Sequence, residues 1–343
     1  MKKALVALSL LGLAVFFLLG QWPVSPSAVT GEALPQLSAD NPKAYQPAQP
    51  ISPEPTAVEQ APLQQQLQWL ASAYASDIQI PPYSRPLTTA DTQLLSPNRF
   101  IPQPVPLQQG ASASLYPSQY RFLYPEPIEL ILRLQGINTA QAHVRLVHEW
   151  SGEVLTEQQM QATSDGFYLQ LASQPDWDGA VTAEVRLMPG GESLVLRTGF
   201  EVRAPVATIT ATGSSYADGA DMVIPLELQV KLDGHYRLRA NLFDEQRQPI
   251  AVLSTRQQLS AGTQTLALRA HRSVLPKTET AFWLTTFQLE RLSPSPSEPT
   301  RYGNAAEAEF ALEPFPLHQL SKTPYRPSEQ EQQRLRLLQQ MAH

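Results

Sequence analysis

The sequence contains no cysteine among its 343 residues. This absence excludes disulfide bonds, cysteine-ligated zinc, iron–sulfur clusters, thiol catalysis and a lipid-modified N-terminal cysteine. Charged residues make up only 16%, and the net charge of −6 gives no basic surface for nucleic acid. The chain also lacks the G-x-S-x-G and S-x-x-K nucleophile motifs and the glycine-rich loops of nucleotide-binding proteins. We therefore expect no cofactor, no nucleic-acid partner and no enzymatic activity.

The N-terminus has the pattern of an export signal. Lys2 and Lys3 precede an uncharged apolar run from Ala4 to Gly20. This run reaches the lower end of the roughly 17–25 residues that cross a bilayer. No basic residue follows until Lys43, so the charge bias places the N-terminus in the cytoplasm and the rest of the chain outside. Residues 1–22 are therefore either an uncleaved signal anchor, with residues 4–20 in the membrane, or a cleaved signal peptide.

Proline is concentrated near the start of the chain, where 16 of the 32 prolines lie between Pro23 and Pro106. Residues 23–60 also lack a hydrophobic period, which predicts a disordered, partly polyproline-II linker. Residues 61–110 are predicted to form a short amphipathic helix, Pro62–Ala75, and an extended stretch that packs on the first domain. The alternative for this helix is that it binds a partner from a flexible arm.

From about residue 119 onward, apolar and polar residues alternate, as they do in half-buried antiparallel strands. Glycine turns separate these short stretches, which is typical of an all-β sandwich or barrel. The segments Ile128–Leu155 and Pro225–Val252 repeat one pattern: a strand, a glycine turn, a second strand, a polar turn and an apolar restart. The repeat predicts two tandem domains, at residues 111–204 and 205–313, and a tail at 314–343.

The tail is predicted to end in a helix. Ser328 and Glu331 have the spacing of a capping box, and Leu335, Leu338 and Met341 fall on one face of the helix. Its other face is rich in glutamine, glutamate and arginine. The sequence leaves open whether this helix packs on the second domain or on a partner.

The stretch Gly234–Val252 could be a charged ligand site or a hairpin. Tyr236, Leu238 and Ala240 alternate with Arg237 and Arg239 before a polar run and an apolar restart. Alternation followed by a turn cluster favours a hairpin, with both arginines on its solvent face.

Three stretches carry a resemblance: YRLRANLFDEQRQPIAV, LSAGTQTLALRA and AFWLTTFQLERL. Over roughly Ala204 to Leu312 the chain is similar to the C-terminal module of exported bacterial proteins, and its two copies resemble tandem immunoglobulin-like or fibronectin type III-like domains. The resemblance implies two tandem immunoglobulin-like antiparallel β-sandwiches in an exported setting. It implies no catalytic residues, and the Cys…Trp…Cys pattern of antibody domains is absent.

Two acidic turns are candidate calcium sites, because calcium prefers carboxylate oxygens. One holds Asp176 and Asp178, and the other holds Asp218 and Asp221. Neither matches an EF-hand loop, and Asp-Gly is ordinary turn chemistry, so turns are the favoured interpretation and we assign no metal.

Histidine and tryptophan positions give weaker indications. His143 and His148 should point to opposite faces of a strand, which excludes a shared metal, and His148 should be partly buried. Trp283 is expected in the core, and Trp177, in an acidic turn, is expected to be exposed. A sugar-stacking platform needs more than one such ring.

Together these observations predict an exported, non-enzymatic interaction or scaffold protein of the bacterial cell envelope. It would be periplasmic and anchored to the inner membrane, or secreted if the signal is cleaved, and it would have envelope protein partners. An alternative is a carbohydrate-binding or accessory module of a polysaccharide-acting system, with a glycan as ligand. A third is a hydrolase whose site is assembled only in the folded chain.

Overall fold

The computed structural model describes residues 57–278 and 280–342, without the side chains of residues 57–62 and 109. The predicted signal segment and residues 23–56 of the predicted linker lie outside the described residues. Within the described part of the chain, no helix is long and apolar enough to cross a bilayer. The described residues form an all-β fold with several sheets and three α-helices.

Three elements precede the first β-sandwich-like region: helix α1 (Ala57–Asp77), strand β1 (Ser84–Pro86) and helix α2 (Thr92–Leu95). The first sandwich then spans residues 105–203 and has two five-stranded sheets. Its strands are β2 (Val105–Pro106), β3 (Ser112–Pro117), β4 (Arg121–Leu123), β5 (Ile128–Gln135), β6 (Ala142–His148), β7 (Val154–Gln159), β8 (Gln161–Thr163), β9 (Gly166–Leu171), β10 (Gly179–Leu187) and β11 (Leu194–Arg203). One sheet has the order β4-β11-β10-β6-β7, and the other has the order β2-β3-β5-β9-β8.

The second sandwich follows after a short link at residues 204–206. Its strands are β12 (Ala207–Thr212), β13 (Tyr216–Asp218), β14 (Asp221–Val230), β15 (Gly234–Asp244), β16 (Pro249–Leu259), β17 (Gly262–His271), β18 (Phe282–Arg291), β19 (Arg301–Ala305) and β20 (Glu309–Leu312), and helix α3 (Glu329–Met341) ends the chain. They form a continuous sheet in the order β1-β16-β15-β18-β19-β12-β14-β13, with β17 on β14 and β20 on β18.

Strand β19 pairs with both β18 and β12, and it therefore connects the two halves of the second sandwich. Gly303 of β19 allows β18, β19 and β12 to lie this close together. A Cβ atom on Gly303 would lie 2.5 Å from the carbonyl oxygen of Ala207 and 2.6 Å from Cδ2 of Leu289. Any larger residue at position 303 would push the strands apart.

The repeat seen in the sequence is a repeat of topology. In the first sandwich, β5 pairs with β9 in one sheet, while the hairpin β6–β7 pairs with β10 in the other. In the second, β14 pairs with β17, while the hairpin β15–β16 pairs with β18. The hairpin prediction for Gly234–Val252 is confirmed, because β15 and β16 run antiparallel through that stretch.

Each sandwich has its own hydrophobic core, which follows from the alternation along its strands. Strand β10 buries every second residue, and Val181, Ala183 and Val185 are fully buried. The second core extends beyond the boundary predicted at residue 313, because Phe315, Leu317 and Leu320 are buried in it. Only the part of the tail after Leu320 lies outside this core.

Two further predictions for the N-terminal flank need correction. Helix α1 begins at Ala57, inside the predicted linker, because Ala57–Ala61 are mostly good helix formers and Pro62 removes a single hydrogen bond near the helix start.

The extended stretch after the helix does not pack only on the first domain. Strand β1 pairs with β16 of the second sandwich, and Leu87 donates its N–H to Ile250 O at 3.0 Å. Only from about residue 98 does the chain reach the first sandwich, where β2 pairs with β3.

Polar contacts join the two sandwiches. Arg301 of β19 donates to Asp178 of the first sandwich at 2.7 Å. The Arg121 guanidinium of β4 lies 3.5 Å above the ring of Tyr302, in β19. Arg121 also donates to Glu201 at 2.8 Å, so the same side chain belongs to an ion network of the first sandwich.

Candidate functional site

The two terminal helices pack against each other beside the second sandwich. Ala71 of α1 is buried, and Leu67 and Tyr74 on the same side are half-buried. On a neighbouring side, Gln68 donates to the carbonyl oxygen of Ala342 at 3.3 Å. At about 100° per residue, position 70 lies roughly 200° around the helix from position 68. Helix α3 therefore covers the Gln68 side of α1 and leaves the Leu70 side uncovered.

Four apolar residues of α1 are exposed on a side of the helix that also carries Gln66 and Asp77. They are Leu63, Trp69, Leu70 and Ala73, and we refer to these four residues as the α1 apolar face. The side chains of Leu63, Trp69 and Leu70 are 56%, 73% and 45% exposed. An exposed tryptophan beside two exposed leucines is unusual on a protein surface, and clusters of this kind mark interaction sites.

Polar and aromatic contacts hold the helix pair on the second sandwich. Arg85 of β1 donates to both carboxylate oxygens of Asp77 at the end of α1, at 2.5 and 3.0 Å. Ahead of α3, the Tyr325 ring lies edge-on to Tyr83 at 6.5 Å and to His271 at 6.2 Å. Burial lowers the pKa of His271 against the opposing effect of Asp221, so this histidine is neutral at pH 7. The α1 apolar face is thus presented from a fixed position.

Helix α3 begins as the sequence predicts. The Ser328 hydroxyl accepts from the Glu331 N–H at 3.3 Å, and the Glu331 carboxylate accepts from the Ser328 N–H at 2.8 Å. Leu335 and Leu338 are half-buried, whereas Leu337 and Met341 are 57% and 53% exposed. The helix pair therefore exposes apolar side chains from both of its helices.

The four calcium candidates do not form one site. Asp176 is exposed, and Asp178 accepts from Arg301 and from the Ala204 N–H at 3.2 Å. Asp218 and Asp221 lie closer together, but Arg269 binds both, at 2.8 and 3.3 Å. Within the described ranges, no three acidic or histidine side chains are arranged to hold a metal ion.

The histidine expectations agree with the structure, and the tryptophan expectations do not. His143 is exposed and His148 is half-buried on the opposite side of β6. Trp177 is buried at 8% exposure in the first core, because the turn that holds it joins the buried ends of β9 and β10, Leu171 and Gly179. Trp283 is only half-buried, with the Arg247 guanidinium 3.7 Å above its ring. Trp150, in the β6–β7 turn, is 94% exposed.

A cleft of about 750 Å³ lies between the sandwiches. Thr286 lines it from β18 with a φ of 56°, at the point where the pairing of β18 with β15 shifts register. Two of the three carboxylates that line the cleft are held by neighbouring donors. Glu126 accepts from the Leu123 N–H at 3.1 Å, and Glu290 accepts from Arg237 at 2.9 Å. Glu307 is the third carboxylate of the lining, so the cleft has one carboxylate without a donor among the described residues, whereas glycoside hydrolysis uses a pair.

The chain matches no protein-family model. No curated protein matches it. Among solved structures, a DUF4785 family protein from Legionella pneumophila is 16% identical, with a TM-score of 0.44 over 61% of this chain and 58% of that protein. Escherichia coli alpha-2-macroglobulin activated by porcine elastase is 11% identical, with a TM-score of 0.23 over 60% and 20% of the two chains. The three N-terminal domains of the bacteriophage RB49 outer capsid protein Hoc are 10% identical, with a TM-score of 0.21 over 60% and 69%. Similarities this low carry no argument about function.

Proposed function

We propose that this chain is a non-enzymatic interaction protein of the bacterial cell envelope, anchored through residues 4–20 and facing the periplasm. In this proposal, the two sandwiches are immunoglobulin-like and form the rigid part of the protein. The α1 apolar face binds a protein partner. The observation that carries the proposal is the exposure of Leu63, Trp69 and Leu70 on a helix that is fixed to the second sandwich.

The strand pairing supports an immunoglobulin-like assignment. In the first sandwich β5 pairs with β9 while the hairpin β6–β7 pairs with β10, and in the second β14 pairs with β17 while the hairpin β15–β16 pairs with β18. Each sandwich also has one parallel pair, β11 with β4 in the first and β19 with β12 in the second. Rigid sandwiches of this kind commonly serve to display binding surfaces.

Charge favours a protein partner over a lipid surface. Helix α1 contains Glu59 and Asp77 and no lysine or arginine. Helices that lie on anionic membranes carry basic residues on their polar face, and those residues supply much of the attraction. An acidic helix with an exposed tryptophan instead fits an apolar groove on a protein, because tryptophan is enriched among the residues that contribute most to protein interfaces.

The proposal can be tested by chemical cross-linking of the full-length protein in native membranes, followed by affinity purification and mass spectrometry. We expect a reproducible set of envelope proteins that is lost in the double variant W69Q/L70Q. The matched control is W150Q, because Trp150 is also exposed but lies in the first sandwich. The same partners should be recovered with this control.

Two results would contradict the proposal. One is the absence of any reproducible partner. The other is an unchanged partner set in W69Q/L70Q, which would show that the α1 apolar face is not the binding surface. The same mass spectra report whether the peptide covering Met1–Gly20 is still present, which decides between an anchor and a cleaved signal.

A further inference from the structure

A second feature is a pocket of about 440 Å³ on the second sandwich. The hairpin β15–β16, strand β17 and the segment before β1 surround it. Its lining includes four arginines, Arg237, Arg239, Arg256 and Arg269. This concentration of positive charge stands out in a chain whose net charge is −6.

The strand register forces these arginines together. Arg237 of β15 lies directly opposite Arg256 of β16, and Arg239 lies opposite Ser254. Directly opposite residues of an antiparallel pair share one face of the sheet, so all three guanidinium groups leave from the same side. Like charges in this position destabilise a sheet. Glu290 lies opposite Arg237 on β18 and offsets part of this repulsion, whereas Arg239 and Arg256 have no such acidic neighbour among the described residues.

Only two of the four arginines have acidic partners in the described part of the chain. Arg237 donates through Nε to Glu290 at 2.9 Å, and Arg269 pairs with Asp218 at 2.8 Å and Asp221 at 3.3 Å. Arg239 and Arg256 have no carboxylate within 4.0 Å among the described residues. Four arginines against the three carboxylates of Glu290, Asp218 and Asp221 leave a net charge of +1, and Arg239 and Arg256 are the two guanidinium groups without a carboxylate partner among the described residues.

The rest of the pocket is held in place by the fold. The Tyr83 hydroxyl donates to Asp221, with both carboxylate oxygens 3.0 Å away. The Ser254 N–H donates to the Tyr83 carbonyl oxygen at 2.9 Å, which fixes this wall against β16. Burial and the bond to Asp221 raise the pKa of Tyr83, so its hydroxyl remains a proton donor over the physiological range. The arginines therefore surround a preformed cavity.

We propose that this pocket binds a dianionic phosphoryl group, as found on a phosphorylated sugar or a phosphomonoester lipid headgroup. The two guanidinium groups without carboxylate partners can attract a phosphate monoester, whose charge is about −1.5 to −2 at pH 7. Guanidinium groups bind phosphate oxygens through paired, charge-assisted hydrogen bonds. The Ser254 hydroxyl, which also lines the pocket, can donate to a further phosphate oxygen. A volume of about 440 Å³ accommodates a small organic phosphate.

The hairpin and the ligand site are thus compatible interpretations of Gly234–Val252. The hairpin provides the backbone, and its solvent face provides the charge. This binding site is separate from the α1 apolar face and does not depend on the function proposed for that face.

The test is calorimetric titration of the full-length protein in non-ionic detergent with glucose 1-phosphate. We expect saturable binding that weakens as salt is added, because added ions screen the guanidinium charges. The variant R239Q/R256Q should bind about tenfold more weakly or worse, because it loses both free guanidinium groups. The single variants R239Q and R256Q should each show part of this loss.

The matched control is R186Q, since Arg186 is an exposed strand arginine of the first sandwich without an acidic partner within 4.0 Å among the described residues. Its affinity should equal that of the unmodified protein. Thermal melting without ligand separates binding from folding: R239Q/R256Q should melt at the same temperature or higher, because a like-charge contact is removed. A marked drop in its melting temperature would assign these arginines to structure and overturn the proposal.

Two further arms identify the source of the phosphoryl group. Vesicles of phosphatidylcholine with phosphatidic acid test a lipid headgroup, and glucuronate tests whether a single carboxylate is sufficient. Binding of glucose 1-phosphate or of the phosphatidic acid vesicles, lost in R239Q/R256Q, supports the proposal. No binding to either phosphate, binding unaffected by R239Q/R256Q, or equal affinity for glucuronate overturns it.

Discussion

Replacing Glu201 with glutamine should destabilise the first sandwich far more than the same change at another ion pair in the same sandwich. The Glu201 carboxylate accepts from Arg121 at 2.8 Å and from Arg203 at 3.0 Å. All three side chains are only about one-fifth exposed, at 20%, 23% and 19%. The variant E201Q therefore leaves two largely buried guanidinium groups without their counter-charge.

The expected cost follows from these contacts. A hydrogen bond to a charged group contributes about 1.5–3 kcal/mol, and Glu201 accepts two of them. Water reaches part of the network, and glutamine keeps one acceptor oxygen, so we expect a net loss of about 2–3 kcal/mol. The matched control is E184Q. Glu184 accepts from Arg197 at the same 2.8 Å, but that arginine is 68% exposed. Exposed pairs contribute about 0–1 kcal/mol.

The effect should also depend on pH. Burial raises the pKa of the Glu201 carboxyl, but the hydrogen bonds from Arg203 and Arg121 outweigh burial and hold the pKa below its ordinary value of 4.5. A carboxylate whose pKa is lower in the folded state stabilises the protein above the unfolded-state pKa, and this contribution is lost as the pH falls through the folded-state value. The difference between the unmodified protein and E201Q should therefore be full at pH 7 and should shrink below about pH 4.5.

Urea unfolding followed by tryptophan fluorescence measures both effects, because Trp177 lies in the core of the first sandwich. A cost for E201Q no larger than that for E184Q would refute the argument. So would a cost that is the same at pH 7 and pH 3.5, since the lost interaction would then not involve the ionised carboxylate.

Three more predictions follow from other elements. Replacing the buried Leu228 with alanine should cost about 2–5 kcal/mol in urea unfolding, whereas V195A at a 45% exposed position should change stability by less than about 0.5 kcal/mol; equal effects would contradict the assignment of the core. Because Thr286 has a φ of 56°, T286G should raise the free energy of unfolding by about 0.5–1 kcal/mol, net of the added flexibility of the unfolded chain, and a loss of stability would contradict the inferred strain. S328A should weaken helix α3 by about 1 kcal/mol, measured as faster hydrogen exchange confined to that helix; unchanged exchange there would show that the cap contributes little.

The all-β class and the hairpins follow directly from the sequence, since alternation with a period of two fixes which residues face a core. The capping box at Ser328 is equally local, because both of its partners lie within one helical turn. The repeat between Ile128–Leu155 and Pro225–Val252 reflects the same alternation placed twice in the same topology.

Long-range features could not be predicted in the same way. Strand β1 pairs with β16 across more than 160 residues of chain, and no local pattern indicates that partner. Trp177 is buried in the first core, although its acidic neighbours suggested exposure. The arginine pocket combines strands and a distant segment, so the sequence showed only two of its four arginines as a group, Arg237 and Arg239.

The central claim is that the α1 apolar face binds an envelope protein, and site-specific photo-cross-linking in living cells tests it most directly. A photoreactive amino acid would replace Trp69 in one strain and Trp150 in another, since both side chains are exposed but only Trp69 belongs to the α1 apolar face. The account predicts a cross-linked adduct with one defined envelope protein from position 69 and none from position 150. No adduct at position 69, or the same adduct from both positions, would contradict it.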